Sequence, residues 1–124
     1  MIAVVADDLS GAVEIAGVGL RYGLKVTVTL SADTIPSDTQ LWVVALDTRS
    51  INKQNAVRSV AHTVKKLALA GIKDIFKKTD SVLRGHITSE HAVQLKTDYD
   101  HNPFVTVKPG SYLLPEIIFN LLNR

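Results

Sequence analysis

The sequence predicts an α/β protein: a three-layer, open, mainly parallel sheet flanked by helices, Rossmann-like in plan. Two observations carry this prediction. Short β-branched apolar runs alternate with stretches of helical periodicity from the first residue to about residue 96. Those runs are continuously apolar, which suits strands covered on both faces rather than strands with one wet side.

The elements follow in order. Ile2-Ala3-Val4-Val5-Ala6 reads as a first buried strand ending in acids. After Asp7-Asp8-Leu9-Ser10-Gly11, apolar Val13, Ile15, Ala16, Val18, Gly19 and Leu20 recur at helical spacing until Gly23 stops the pattern. Lys25 to Leu30 gives a second strand, Ser31 to Gln40 a polar loop holding Pro36, and Leu41 to Leu46 a third strand. A second helix is capped by Asn52, lined by Ala56, Val60, Val64, Leu67 and Ala68, and closed by Gly71; the fourth strand is Asp74 to Lys77. Beyond it the spacing predicts a helix from Thr88 to Lys96, a strand from Phe104 to Val107, and a last helix begun by Pro115 with Ile117, Ile118, Leu121 and Leu122 inside. Tyr22, Trp42 and Phe76 are expected in the core.

Composition narrows the function classes. The chain has 124 residues, 46% hydrophobic and 21% charged, enough for one core. A net charge of +2 with scattered basic residues does not point to nucleic acid. There is no cysteine, so disulfides and cysteine-based zinc sites are out. His62, His86, His91 and His101 show no metal-ligand spacing and are expected at the surface or as caps, with no metal site. No apolar run approaches the roughly 18 residues of a membrane span, and the N-terminus has no basic leader, so a cytoplasmic protein is expected.

In such sheets ligands bind beyond the carboxyl ends of the strands. Four loops would meet there: Asp7 to Gly11, Asp47-Thr48-Arg49-Ser50, Lys78-Thr79-Asp80-Ser81-Val82-Leu83-Arg84-Gly85, and Lys108-Pro109-Gly110-Ser111. Each also has an ordinary reading. Ser10 could be a helix cap, Asp47 a turn cap, and Arg49 a solvated side chain. Adjacent Asp7 and Asp8 are harder to explain so, because their repulsion needs a cation, an arginine or a substrate hydroxyl to offset it. Arg84 before Gly85 suits a fork around a carboxylate with close backbone approach.

The stretches Asp7-Asp8-Leu9-Ser10-Gly11-Ala12, Thr48-Arg49-Ser50 and Lys77-Lys78-Thr79-Asp80-Ser81-Val82-Leu83-Arg84-Gly85 resemble the motifs of the four-carbon acid sugar kinase family, in its N-terminal domain. Ser10 stands for that pattern's usual Thr and Val82 for another. The resemblance implies an ATP-dependent kinase of threonate- or erythronate-type acid sugars, with ATP and Mg2+ as cofactors. By position it puts Asp7, Asp8, Ser10, Gly11, Arg49, Asp80, Ser81 and Arg84 along the sugar site, and leaves the catalytic base unassigned. It covers residues 1–96, read as the acid-sugar-binding domain. Residues 97–124 resemble the end of the family's nucleotide-binding domain, with Lys108, Gly110 and Ser111 facing nucleotide. Most of that second domain is missing, as after an internal deletion near residues 97–102, so the chain is expected to bind a small acid sugar, to meet ATP only if a second lobe is supplied, and to be weakly active or inactive. Self-association over surfaces that the second domain would cover is a further expectation.

A rival of another class is a signalling receiver, matched by Asp7-Asp8, Asp47, Thr79 or Ser81, and Lys108-Pro109, with Asp47 accepting a phosphoryl group. A fragment with no ligand is the third reading.

Overall fold

The computed structural model describes residues 1–78, together with Ser89. Four strands form one sheet: β1 (Ile2–Ala6), β2 (Val26–Thr29), β3 (Leu41–Ala45) and β4 (Asp74–Lys78). Their order is β2-β3-β1-β4 and every neighbouring pair is parallel. Helix α1 (Leu9–Arg21) follows β1, and α2 (Lys53–Leu69) follows β3 after a 3-10 turn at Thr48–Ser50. The predicted elements of this region are present, with β4 one residue longer than expected, β2 shorter by one residue at each end and β3 shorter by one. The later helices, the fifth strand, and His86, His91 and His101 lie outside the described residues.

The pleat sorts the strand side chains into two cores. Ile2, Val4, Ala6, Leu41, Val43 and Ala45 pack with Ala12, Ile15 and Leu24 on the α1 side. Ala3, Val5, Trp42, Val44 and Ile75 pack with Val60, Val64 and Leu67 on the other. All five residues of β1 and all five of β3 are buried, which explains their uninterrupted apolar runs. Burying each Val, Leu or Ile is worth about 1.5–3 kcal/mol. Gly19 lets α1 approach this sheet closely, since a Cβ there would collide with the Leu41 side chain and touch Val26. Trp42 is fully buried and its Nε1 donates to Thr29 Oγ1 at 2.8 Å.

Three core expectations need correction. Val13 and Leu20 are 57% and 62% exposed. The inward stripe of α1 is Ala12, Ile15, Ala16 and Gly19, and Val13 and Leu20 each sit one residue, about 100° of turn, beyond it. Tyr22 is also exposed, because it is the C-cap of α1, where the chain leaves the sheet. Trp42 is core as expected, Phe76 is half-buried against the α1 side, and His62 is on the surface.

The connections position the site. From β1 the chain runs through α1 over one face to β2, and from β3 through α2 over the other face to β4. Adjacent strands β1 and β3 therefore send their chains to opposite sides, which opens a crevice beyond their carboxyl ends. The link from β2 to β3 has no helix and is held by Lys25 Nζ on Asp38 Oδ1 at 2.7 Å, by the Thr27 and Thr39 hydroxyls at 2.7 Å, and by Lys66 on Asp33. The Lys66 ammonium, with Ser31, holds the Asp33 carboxyl below the usual carboxylate range. The strand order also removes the receiver reading. Receivers place β1 between β2 and β3, whereas here β3 lies between β2 and β1.

Candidate functional site

At the end of β1 the two acids part company. Asp7 is 4% exposed and its carboxylate is paired with Lys77, whose side chain is 1% exposed. The parallel register sets Val5 beside Lys77, and Ile75, two residues earlier on the same face, belongs to the α2-side core, so Lys77 enters the sheet from that side. A buried charge of either sign would be costly alone, and the pair offsets that cost. The backbone reinforces the placement: Leu46 N donates to Ala6 O at 3.0 Å and Thr48 N to Asp7 O at 2.9 Å, carrying the β1–β3 ladder past the strands.

Asp8 turns the other way. With φ −145° and ψ 167° it is the N-cap of α1, its Oδ1 accepting from Gly11 N at 2.9 Å. Its second oxygen, Oδ2, lies 2.9 Å from Arg49 Nη1. One carboxylate thus closes the helix end and bridges the crevice between the β1 and β3 loops. Gly11 makes this possible, because a Cβ at that position would stand 2.8 Å from Asp8 Oδ1. The same point lies 3.7 Å from Lys78 Nζ, so a carboxylate and an ammonium converge on the missing side chain. Lys78 is buried, on the α1 side, with Nζ 3.5 Å from Glu14 Oε2.

The β3 loop supplies the far wall. Asp47 adopts the left-handed conformation at φ 51°, is exposed, and accepts from Ser50 Oγ at 2.9 Å; it makes no side-chain cap. Its carboxylate is spent on its own turn. Thr48 is fully buried and its Oγ1 meets no hydrogen-bond partner among the described residues. Arg49 keeps a third of its side chain exposed, at 34%, on the open side of the crevice.

Of the residues named from sequence, Asp8, Gly11 and Arg49 come together at one rim, Ser10 sits exposed on the first turn of α1 beside them, and Asp7 lies beneath with its charge turned inward. The cap is Asp8, not Ser10. Asp80, Ser81, Arg84, Lys108, Gly110 and Ser111 lie outside the described residues. Sequence reading missed Lys77, Lys78 and Glu14. The available signal was the lysine pair itself, placed straight after Ile75-Phe76 in a strand that must be covered on both sides. Among the described residues no three of His, Cys, Asp and Glu gather into a metal-binding group, and no helix is long and apolar enough to cross a membrane.

A family model described as "Sugar-binding N-terminal domain" matches residues 2–110. A D-threonate kinase of Bordetella bronchiseptica is 30% identical over 95 residues, 72% of this chain and 24% of that protein. A Bordetella bronchiseptica protein crystallised with bound citrate as a domain-swapped dimer superposes with a TM-score of 0.73 at 27% identity, over 77% of this chain and 26% of that one. A Haemophilus influenzae protein shares the fold, with a TM-score of 0.68 at 23% identity, over 77% of this chain and 24% of that one. The chain spans about a quarter of the length of these relatives.

Proposed function

Because this chain belongs to the sugar-binding N-terminal domain family, the first domain of four-carbon acid sugar kinases, we propose that its β1–β3 rim binds a four-carbon sugar acid of the threonate or erythronate type. The observation that carries this reading is the Asp8–Arg49 pair across the crevice. Arg49 offers a planar fork for the ligand carboxylate, and Asp8 accepts from the hydroxyls beside it. Ser10, exposed on the first turn of α1, adds a hydroxyl to the same rim. Asp80, Ser81 and Arg84 complete the site in this proposal. The citrate bound by the Bordetella relative, itself a hydroxy acid, agrees with the ligand class.

The described residues do not fit a magnesium or nucleotide site. The charges of Asp7 and Asp8 are already balanced by Lys77 and Arg49. ATP and Mg2+ therefore enter through the family alone, and no catalytic step is assigned to these side chains. The proposal keeps residues 1–96 as the sugar-acid domain, and residues 97–124, with Lys108, Gly110 and Ser111, as a remnant on the nucleotide side. It holds the chain to be cytoplasmic, self-associating and, by itself, weakly active or inactive as a kinase.

Calorimetry of the 124-residue chain tests the reading. D-threonate or D-erythronate should bind, and threitol, which lacks the carboxylate, should bind at least tenfold more weakly. Absence of heat with every four-carbon sugar acid overturns it. Phosphorylation of such an acid by this chain and ATP alone, at an ordinary enzymatic rate, would overturn the statement on activity.

A further inference from the structure

A buried lysine at the end of a strand is costly, and Lys77 is sequestered together with the acid it neutralises, 70 positions earlier in the chain. The pair sits at a junction. Asp7 belongs to the β1 loop and its carbonyl accepts from Thr48 N of the β3 loop at 2.9 Å, while Lys77 is the fourth residue of β4. Three of the loops that would form the ligand rim therefore start from this ion pair. Asp8, the next residue along, is the one whose carboxylate reaches the crevice and Arg49.

We infer that Asp7 and Lys77 form a positioning strut, and that Asp7 does not touch the ligand although its neighbour Asp8 does. The inference rests on the acid-sugar reading of the rim. The strut fixes the peptide between Asp7 and Asp8, so that Asp8 meets both Gly11 N and Arg49, and it ties β4 to the same point. Lys77 thereby acts on ligand affinity through Asp8. The charges matter because each offsets the burial of the other; a neutral pair of similar shape can take their place.

The test is a double-mutant cycle on the full chain, read by D-threonate calorimetry at a temperature where each variant is folded by circular dichroism. Lys77→Met takes the ammonium from the buried Asp7 carboxylate and Asp7→Asn takes that carboxylate from the buried Lys77, and each should lower the urea midpoint and weaken threonate binding at least tenfold. Asp7→Leu/Lys77→Met, or the amide pair Asp7→Asn/Lys77→Gln if the first does not fold, should bring binding back to within about threefold of wild type. A folded double variant that stays as weak as Asp7→Asn would show that Asp7 contacts ligand and would overturn the strut. Carbon NMR of wild-type carboxyls gives a second arm: saturating threonate should move the Asp8 resonance and leave Asp7 in place, and a ligand-induced shift of Asp7 larger than that of Asp8 overturns the inference. If wild type binds no sugar acid, the acid-sugar reading fails by itself. The strut is then judged by amide exchange, where Thr48 and Gly11 should lose protection in both single variants and regain it in the double, and unaltered protection in the singles overturns it.

Discussion

Asp8 Oδ2 and Arg49 Nη1 stand 2.9 Å apart across the gap between two loops that leave the sheet on opposite faces. The pair is partly screened, with side-chain exposures of 17% and 34%, so its own contribution to stability is modest, about 0.2–1 kcal/mol. Its interest lies in geometry, since it holds an acceptor and a fork at contact distance before any ligand arrives.

Arg49→Lys should keep the charge and lose the fork. Calorimetry should show threonate binding weakened about tenfold, roughly 1.4 kcal/mol, with the urea midpoint nearly unmoved. Unchanged affinity would mean that the carboxylate is held elsewhere.

Gly11→Ala introduces a Cβ 2.8 Å from Asp8 Oδ1, and the carboxylate must move. Losing the cap costs about 1 kcal/mol, while alanine inside the helix returns a comparable amount. Stability should therefore change by less than about 1 kcal/mol in urea, while threonate affinity falls at least tenfold. A large loss of stability with intact affinity in the folded fraction would contradict this account.

Thr48→Val removes a buried hydroxyl that meets no partner among the described residues and keeps the branched shape. An unsatisfied buried polar atom costs about 1–3 kcal/mol, so the variant should be more stable by about 1 kcal/mol in urea unfolding. Destabilisation would reveal a partner for that hydroxyl.

Asp33 titrates below the usual carboxylate range because Lys66 and Ser31 favour its charged form. A depressed acid contributes stability at pH values above its ordinary range, and that contribution disappears as pH falls through its lowered value. NMR titration should place the Asp33 midpoint below that of a free aspartate, and Lys66→Met should raise it toward that value, with the Ser31 contact remaining. The effect on the unfolding midpoint should be small, since Asp33 is exposed.

Asn52→Ala deletes the acceptor that meets Asn55 N at 2.9 Å at the start of α2. Urea unfolding should show a loss of about 1 kcal/mol, with ligand affinity intact.

How much of this was legible before the fold is seen differs by element. β1 and β3 were clear because a strand covered on both faces must be apolar throughout, and the α2 cap was clear because Asn52 precedes a strongly amphipathic run. The meeting of Asp8 with Arg49 followed from strand-end logic alone. The opposite fates of Asp7 and Asp8 did not, because the pleat and the β1–β4 register decide them, and register is a property of two segments about 70 residues apart. Lys77 read as the last residue of a strand and Lys78 as the beginning of a polar loop, and their burial depends on acids that face them from the β1 loop and α1. The outward turn of Val13 and Leu20 was hidden for a related reason: a helix with small glycine and alanine side chains against the sheet leaves its bulkier apolar residues no clear phase.

Trp42 is the sole tryptophan of the chain, and it is fully enclosed with its indole N–H engaged by Thr29. It lies on β3, whose carboxyl end carries the loop of Arg49. Its emission is thus an internal optical gauge of whether the sheet is assembled, silent to events at the rim, so that a fluorescence melt and a heat of binding recorded on one sample report two independent quantities.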